Sequence, residues 1–205
     1  MIEPIFIKYF FIIIVVLFLI GMFAPMVIIK KKGSDPHGIH EGTSLLTRLT
    51  PIMIFSWLTY IIVFIINDSI ILYFLVFKFL ASDVFIFSGI AVIFLGLILD
   101  IWGTAALGTN FRIELPKEET TLITTGIYRL MRNPIVMGVY LLIAGSFLII
   151  PTTISLILLI ANIITFDSKV RDEEKFLAKR FGKKFEKYSK KVGRYLPFII
   201  RKNKK

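Results

Sequence analysis

The chain has 205 residues, 56% of them hydrophobic, with a mean hydropathy of +0.80 and a formal charge of +11. That apolar content is more than one soluble core of this length would hide, which excludes an ordinary soluble domain and makes lipid the expected solvent. The absence of cysteine removes disulfides and thiolate metal sites.

Five apolar segments are candidates for crossing a bilayer: residues 9–29, 52–66, 84–107, 134–149 and 152–166. The second, fourth and fifth are short beside the roughly 20 residues of a usual span. The first is long for the core of a cleaved leader, has only Lys8 as a cation before it and is followed by Lys30, Lys31 and Lys32, so it reads as a retained helix. The loop at 35–41 holds two His and two acids but no further ligand nearby, and reads as a solvated turn, with no metal expected.

Asn67, Asp68 and Ser69 interrupt the stretch 52–80. One crossing ending near Asn67, then an interfacial segment over 70–80 from which Lys78 reaches the surface, satisfies both the polar break and the charge distribution. In the third segment Asp100 lies seven residues, about 10 Å, from the helix end. Gly103, Ala105, Ala106 and Gly108 beside it indicate close helix packing, where Asn162 of a neighbouring helix is the expected partner; an intramembrane acid with a functional role is the alternative.

The fourth and fifth segments form a tight hairpin at Pro151. Asn133 is a favourable cap and Pro134 a favourable first residue for the helix that opens it. Arg129 and Arg132 lie just before, where a helix N-terminus also attracts anionic groups. After the last segment, Val170, Leu177, Phe181, Phe185, Tyr188 and Val192 recur at helical spacing, predicting one amphipathic helix over 167–192. Glu174 falls inside its apolar stripe and Glu173 at the edge, while most of the cations fall on the other side. Carboxylates turned inward need a cationic partner, because an unpaired buried charge is costly.

Fifteen Lys or Arg lie between Lys169 and Lys205, against four acids. Beside a membrane helix their natural counterions are anionic lipid headgroups, not nucleic acid. The Lys/Arg excess of short loops places the 30–48 loop, the 112–132 loop and the C-terminus in the cytoplasm, and the N-terminus outside. The expected fold is therefore an all-α, polytopic transmembrane bundle of about five spans with a cytoplasmic amphipathic C-terminal helix. It is one integral-membrane domain whose cytoplasmic face gathers the polar loop 108–132 and the amphipathic tail, ending in a basic terminus.

The residues Leu107-Gly108, Thr124-Thr125-Gly126-Ile127-Tyr128-Arg129, Arg132-Asn133-Pro134 and Gly138, followed by Glu173-Glu174, Phe181-Gly182, Tyr188 and Arg194-Tyr195-Leu196-Pro197, together resemble the isoprenylcysteine carboxyl methyltransferase family and the related phospholipid methyltransferases. The resemblance covers roughly residues 107–197 and implies that they form the cofactor-binding catalytic half, with residues 1–106 shaping the bundle and 198–205 a basic tail. It implies an integral-membrane enzyme that binds S-adenosylmethionine near its last helices and C-terminal segment and methylates a lipophilic substrate from the bilayer, either a prenylcysteine-like carboxylate or a lipid amine. Carried over at matched positions, it implies a cofactor site of Tyr128, Arg132, Asn133, Pro134, Gly138, Glu173 and Glu174, with Arg132 and Glu174 as the catalytic pair. Asn133 stands where many members have His, and Val136 where many have Tyr; Asn cannot titrate near neutral pH, so a proton-handling role there is not carried over.

S-adenosylmethionine offers an amino group and ribose hydroxyls to Glu173 or Glu174 and a carboxylate to Arg132. A Glu-to-Arg latch that ties the tail to the hairpin with no ligand between stays open as the structural alternative. Transfer from a sulfonium calls mainly for alignment and exclusion of water. Residues 171–174, 179–182 and Tyr188 are also similar to the tail of NADPH-dependent membrane sterol reductases, and a non-enzymatic polybasic lipid-binding protein would explain the charge and the stripe but not the two glutamates.

Overall fold

A computed structural model describes residues 3–31, 43–74, 77–108 and 121–197. Its helices, in chain order, are α1 (Pro4–Lys31), α2 (Leu45–Arg48), α3 (Thr50–Ile66), α4 (Asp68–Leu72), α5 (Asp83–Leu107), α6 (Pro134–Ile149), α7 (Thr153–Phe181) and α8 (Lys183–Ser189), with single 3₁₀ turns at Lys78–Leu80 and Gly126–Arg129. The described residues include one parallel bridge, between Met131 and Gly193. The expected histidine loop at 35–41, most of the basic loop before Arg132 and the tail at 198–205 lie outside the described residues.

Among the described residues three helices are long and apolar enough to cross a membrane: residues Pro4–Val27 of α1, and α5 and α7. The apolar helices α3 and α6 are shorter, at 17 and 16 residues, or about 25 Å each. α3 stops where the sequence turns polar, with Asn67 at its C-terminus and the five-residue α4 beyond it.

Contacts sort the helix ends into two groups. At one end Lys8 of α1 pairs with Asp68 at 3.2 Å, and the Tyr60 hydroxyl of α3 bonds the Thr152 hydroxyl at 3.0 Å. At the other, the segment before α2 meets the far half of α7 through Ser44 and Asp172, and Tyr128 meets the end of α5. Five apolar helices thus run alternately up and down. Phe11, Ile14, Phe18, Trp57, Ile61 and Phe64 fill the space between α1 and α3, Phe18 and Trp57 meeting edge to face at 5.5 Å.

The closest packing joins α5 to α6. A Cβ added to Gly96 would lie 2.8 Å from the Gly138 carbonyl oxygen, and one on Gly89 would lie 2.7 Å from that of Gly145. Gly89, Gly96 and Gly103 recur every seven residues, so they form one strip on α5. Gly138 and Gly145 form the matching strip on α6, and the two backbones touch where side chains would hold them apart.

Three local expectations are corrected. Residues 167–192 are not one helix: the last crossing and the first half of the amphipathic segment are a single 29-residue α7, which ends at Gly182 before the separate α8. Gly182 has φ +49°, a left-handed conformation open to glycine and costly for other residues, and it turns the chain. Asp100 and Asn162 do not pair: the Asn162 amide donates to Leu158 of its own helix at 2.8 Å, and its carbonyl oxygen has no partner among the described residues. Asn133 stands at the N-terminus of α6 with Pro134 first in the helix, but its side chain does not cap it. That side chain reaches across to the C-terminal segment instead.

Candidate functional site

The end of the bundle at which α5 finishes gathers the start of α6, the far half of α7 and the C-terminal segment after α8. Glu174 lies at its centre, one face of α7 having turned it inward. Its Oε1 accepts from Arg132 Nε at 2.9 Å and Nη2 at 2.8 Å. Its Oε2 accepts from Arg194 Nε at 3.1 Å and Nη2 at 2.7 Å. One carboxylate therefore takes four charge-assisted bonds from two guanidiniums, in side chains only 14% exposed for Glu174 and 11% for Arg132. The Glu174 bonds, ahead of the burial that opposes them, hold Arg194 above the usual arginine range.

The remaining arm of Arg132 serves the backbone. Its Nη1 donates to the carbonyls of Ser189 at 2.9 Å and Val192 at 2.5 Å. The Arg132 amide donates to Gly193 O at 2.8 Å, and the Asn133 amide and side-chain nitrogen donate to Arg194 O at 3.0 and 3.3 Å. Residues 192–195 are thereby strapped alongside the turn that opens α6.

Tyrosines close the sides. Tyr188 donates to the Tyr128 carbonyl at 2.7 Å, and Tyr128 donates to Gly103 O of α5 at 3.4 Å. Burial pushes the Tyr188 phenol up to about 12. Burial also raises that of Tyr128, with the charges of Glu173, Tyr188 and Asp100 adding to it, so both hydroxyls stay protonated donors at any physiological pH. Tyr195 donates to Asp167 at 2.8 Å, its ring packs 5.4 Å from that of Tyr140, and Arg194 lies 3.8 Å from the same carboxylate. Burial, then its bonds with Tyr140 and Asp167, raise the Tyr195 phenol.

Of the residues singled out in sequence, Tyr128, Arg132, Asn133, Glu173 and Glu174 come together here. Glu173 is half-buried and makes no hydrogen bond or ion pair among the described residues, which leaves its carboxylate available. Pro134 and Gly138 sit apart from these polar groups: Pro134 packs on Gly103 and Gly138 on Gly96 and Asp100, so both set the α5–α6 contact that supports the site. Val136 is buried in the core. The inward cationic partner expected for Glu174 is present twice over. Arg194 and Asp167 were not singled out for roles; Arg194 lies in a strap with no helical period, and Asp167 pairs with Arg171 at i+4 as an ordinary surface acid would.

Chemically the cluster combines one free carboxylate, Glu173, and two paired ones, Glu174 and Asp167, with two guanidiniums and three phenols. Such a set suits a small zwitterion carrying hydroxyls and a flat ring.

The sequence pattern of the phospholipid methyltransferase family matches residues 84–184, which span α5 to the start of α8. The chain is 30% identical over 118 residues to a probable protein-S-isoprenylcysteine O-methyltransferase of Oryza sativa subsp. indica, covering 55% of this chain and 61% of that protein. It is 32% identical over 98 residues to the protein-S-isoprenylcysteine O-methyltransferase of Saccharomyces cerevisiae (47% of this chain, 41% of that one). It is 28% identical over 115 residues to that of Xenopus laevis (54% and 40%). The matched part spans less than two thirds of the length of these relatives.

Proposed function

We propose that the chain, whose residues 84–184 match the phospholipid methyltransferase family, is a member of it and an S-adenosylmethionine-dependent membrane methyltransferase acting on a lipophilic acceptor at the bilayer interface. The observation that carries this reading is Glu174 held between Arg132 and Arg194, with the unpaired Glu173 beside it. When bound, S-adenosylmethionine supplies an electrophilic methyl on a sulfonium. Arg132 and Arg194 would hold its carboxylate, and Glu173 and Glu174 its amino group or ribose hydroxyls. Tyr128, Tyr188 and Tyr195 offer aromatic bodies for the adenine and, with the strap of residues 192–195, keep water from the reacting atoms.

In this reading Arg132 and Glu174 align the donor and do no covalent chemistry, as suits an in-line displacement. All five apolar helices cross the bilayer, α3 and α6 being accommodated by local thinning. The strapped end faces the cytoplasm, where the Lys/Arg-rich segments lie. Residues 107–197 carry the site and residues 1–106 shape the lipid side. The exposed cations Lys175 of α7, at 78%, and Lys190 just after α8, at 73%, face anionic headgroups.

Incubating the protein in native-lipid nanodiscs with methyl-labelled S-adenosylmethionine tests this. Label is expected in the extracted lipophilic fraction. Its absence from that fraction, together with no stabilisation by S-adenosylhomocysteine, rejects the proposal.

A further inference from the structure

The strap of residues 192–195 is tied to α7 at two heights, and only one of them has been given a role. Glu174 is the first. Asp167 is the second: it lies seven residues earlier, so it shares a face of α7 with Glu174 about 10 Å along the axis. Its Oδ1 accepts from the Tyr195 hydroxyl at 2.8 Å and stands 3.8 Å from Arg194 Nη1. Its Oδ2 accepts from Arg171 Nε at 2.6 Å. The Tyr195 ring is fixed from the other side by Tyr140 of α6, 5.4 Å away, whose hydroxyl donates to Ile163 O of α7 at 3.3 Å. One carboxylate thus meets two consecutive residues of a segment that lies outside any helix.

Arg194 is the member of the cluster that can give way. Its Nε and Nη2 lie on Glu174 Oε2 at 3.1 and 2.7 Å, and its Nη1 makes no hydrogen bond among the described residues. Arg132 is held more firmly, because its Nη1 also donates to Ser189 O and Val192 O and its amide donates to Gly193 O. Both oxygens of Glu174 are filled by guanidiniums. An amino group or ribose hydroxyl brought to Glu174 must take the place of one of them, and Arg194 then loses its tie at that height. A guanidinium on an irregular strap, released from its one hydrogen-bonded carboxylate, would carry the strap off α7 when its charge is needed for the donor carboxylate. Asp167 prevents that. Its Oδ1 keeps Tyr195 and faces the free end of Arg194, while Arg171 on the second oxygen offsets its charge, so that it adds little repulsion against an incoming carboxylate.

Resting on the methyltransferase reading, we infer that Asp167 is a positioning residue for the methyl donor: through the Tyr195 hydroxyl and the Nη1 side of Arg194 it keeps the strap on α7, so that Arg194 stays in reach of the donor carboxylate while Glu174 turns to the donor's amino group or hydroxyls. Asp167 touches neither donor nor acceptor and takes no part in methyl transfer. Its effect is on how tightly the donor is held, through the preorganisation of Arg194. A carboxylate that only tied α7 to the strap as part of the fold would act differently. Its loss would lower thermal stability and the amount of active protein, with the donor affinity of the remaining protein unchanged.

The test uses the full chain in native-lipid nanodiscs. It reads S-adenosylhomocysteine binding together with KM and kcat for transfer of label from methyl-labelled S-adenosylmethionine to the extracted lipids. Asp167→Ala is expected to raise the S-adenosylhomocysteine Kd and the S-adenosylmethionine KM about tenfold, with kcat within about twofold of the parent. Asp167→Asn, which keeps an acceptor for the Tyr195 hydroxyl, is expected to recover about threefold of that loss. Tyr195→Phe should raise the same two constants, and should add less than its own effect when combined with Asp167→Ala. Kd and KM unchanged in Asp167→Ala, or a fall in kcat with both constants unchanged, overturns the inference and leaves the methyltransferase reading intact. Full additivity of Asp167→Ala and Tyr195→Phe overturns it as well. No S-adenosylhomocysteine binding and no labelling by the parent overturns both. If Asp167→Ala does not fold, Asp167→Asn and Tyr195→Phe decide by the same criterion.

Discussion

Arg132 and Glu174 are 42 residues apart in sequence, and Arg132 nonetheless lays Nε and Nη2 on the same Glu174 oxygen at 2.9 and 2.8 Å. The other oxygen is taken by Arg194. The glutamate is therefore both a candidate donor-binding group and the tie between α7, the start of α6 and the C-terminal strap.

Glu174→Ala would leave two guanidiniums facing each other. It is expected to cost about 2–3 kcal/mol of stability, below the 3–5 of a fully buried pair because these side chains keep some exposure. It is also expected to weaken S-adenosylhomocysteine binding by at least about tenfold. Glu173→Ala, which breaks no bond among the described residues, should weaken binding with little loss of stability. Thermal unfolding of each variant with and without S-adenosylhomocysteine separates the two effects, and equal ligand shifts in parent and both variants would remove the glutamates from the site.

Asp172, two residues earlier on α7, serves a different partner. It accepts from the Ser44 amide at 2.8 Å and the Thr47 hydroxyl at 2.7 Å, and Ser44 also meets Ser168 at 2.7 Å. Asp172→Ala removes these two bonds, together with the exposed Lys175 pair at 3.3 Å, and is expected to cost about 2–4 kcal/mol, read as faster amide exchange over residues 43–48. S-adenosylhomocysteine affinity should stay within about twofold, since the Asp172 side chain bonds Ser44, Thr47 and Lys175 and neither of the arginines that hold Glu174. A large loss of affinity would mean that α2 supports the site.

Much of this was legible in sequence because lipid imposes length and charge constraints. The 134–149 segment, opened by Asn-Pro, is α6, and the polar run at Asn67 does end α3. The inward cationic partner of Glu174 followed from helical spacing alone. Other features left weaker traces. Gly182 divides the stripe of Phe181 and Phe185, whose spacing fits an unbroken helix equally well. Arg194 acts from an irregular strap, where no period marks a buried face. The heptad Gly89, Gly96 and Gly103 was present to be read, but its meaning depends on Gly138 and Gly145 facing it, which one helix does not reveal.

The strap itself can be loosened at a single atom. Tyr188→Phe deletes the hydroxyl that donates to the Tyr128 carbonyl and leaves the ring packed 6.3 Å from Phe185. The loss is expected to be about 1 kcal/mol, with faster proteolysis after Tyr188 and no change in helix content by circular dichroism. Resistance equal to the parent would show that the arginine bonds alone hold the segment.

Gly96 and Gly182 separate two reasons for needing glycine. At Gly96 the conformation is an ordinary helix and the obstacle is the Gly138 carbonyl, 2.8 Å from an added Cβ, with the Leu142 nitrogen at 3.0 Å. Neither is a flexible side chain, so Gly96→Ala forces α5 and α6 apart along the strip. A loss of about 1–3 kcal/mol is expected, as for overpacking elsewhere. Because α6 carries Arg132 at its head, the displacement should also reduce S-adenosylhomocysteine affinity. At Gly182 nothing lies within 4 Å of an added Cβ, and only the φ of +49° resists it. Gly182→Ala should therefore cost a similar amount of stability, about 1–3 kcal/mol, yet it should be relieved by the chain continuing α7 into α8 as one helix, which would pull the strap from Arg132. Amide exchange distinguishes the two: Gly96→Ala should expose α5 and α6, Gly182→Ala residues 183–195. Protection lost in the same place for both would contradict this division of roles.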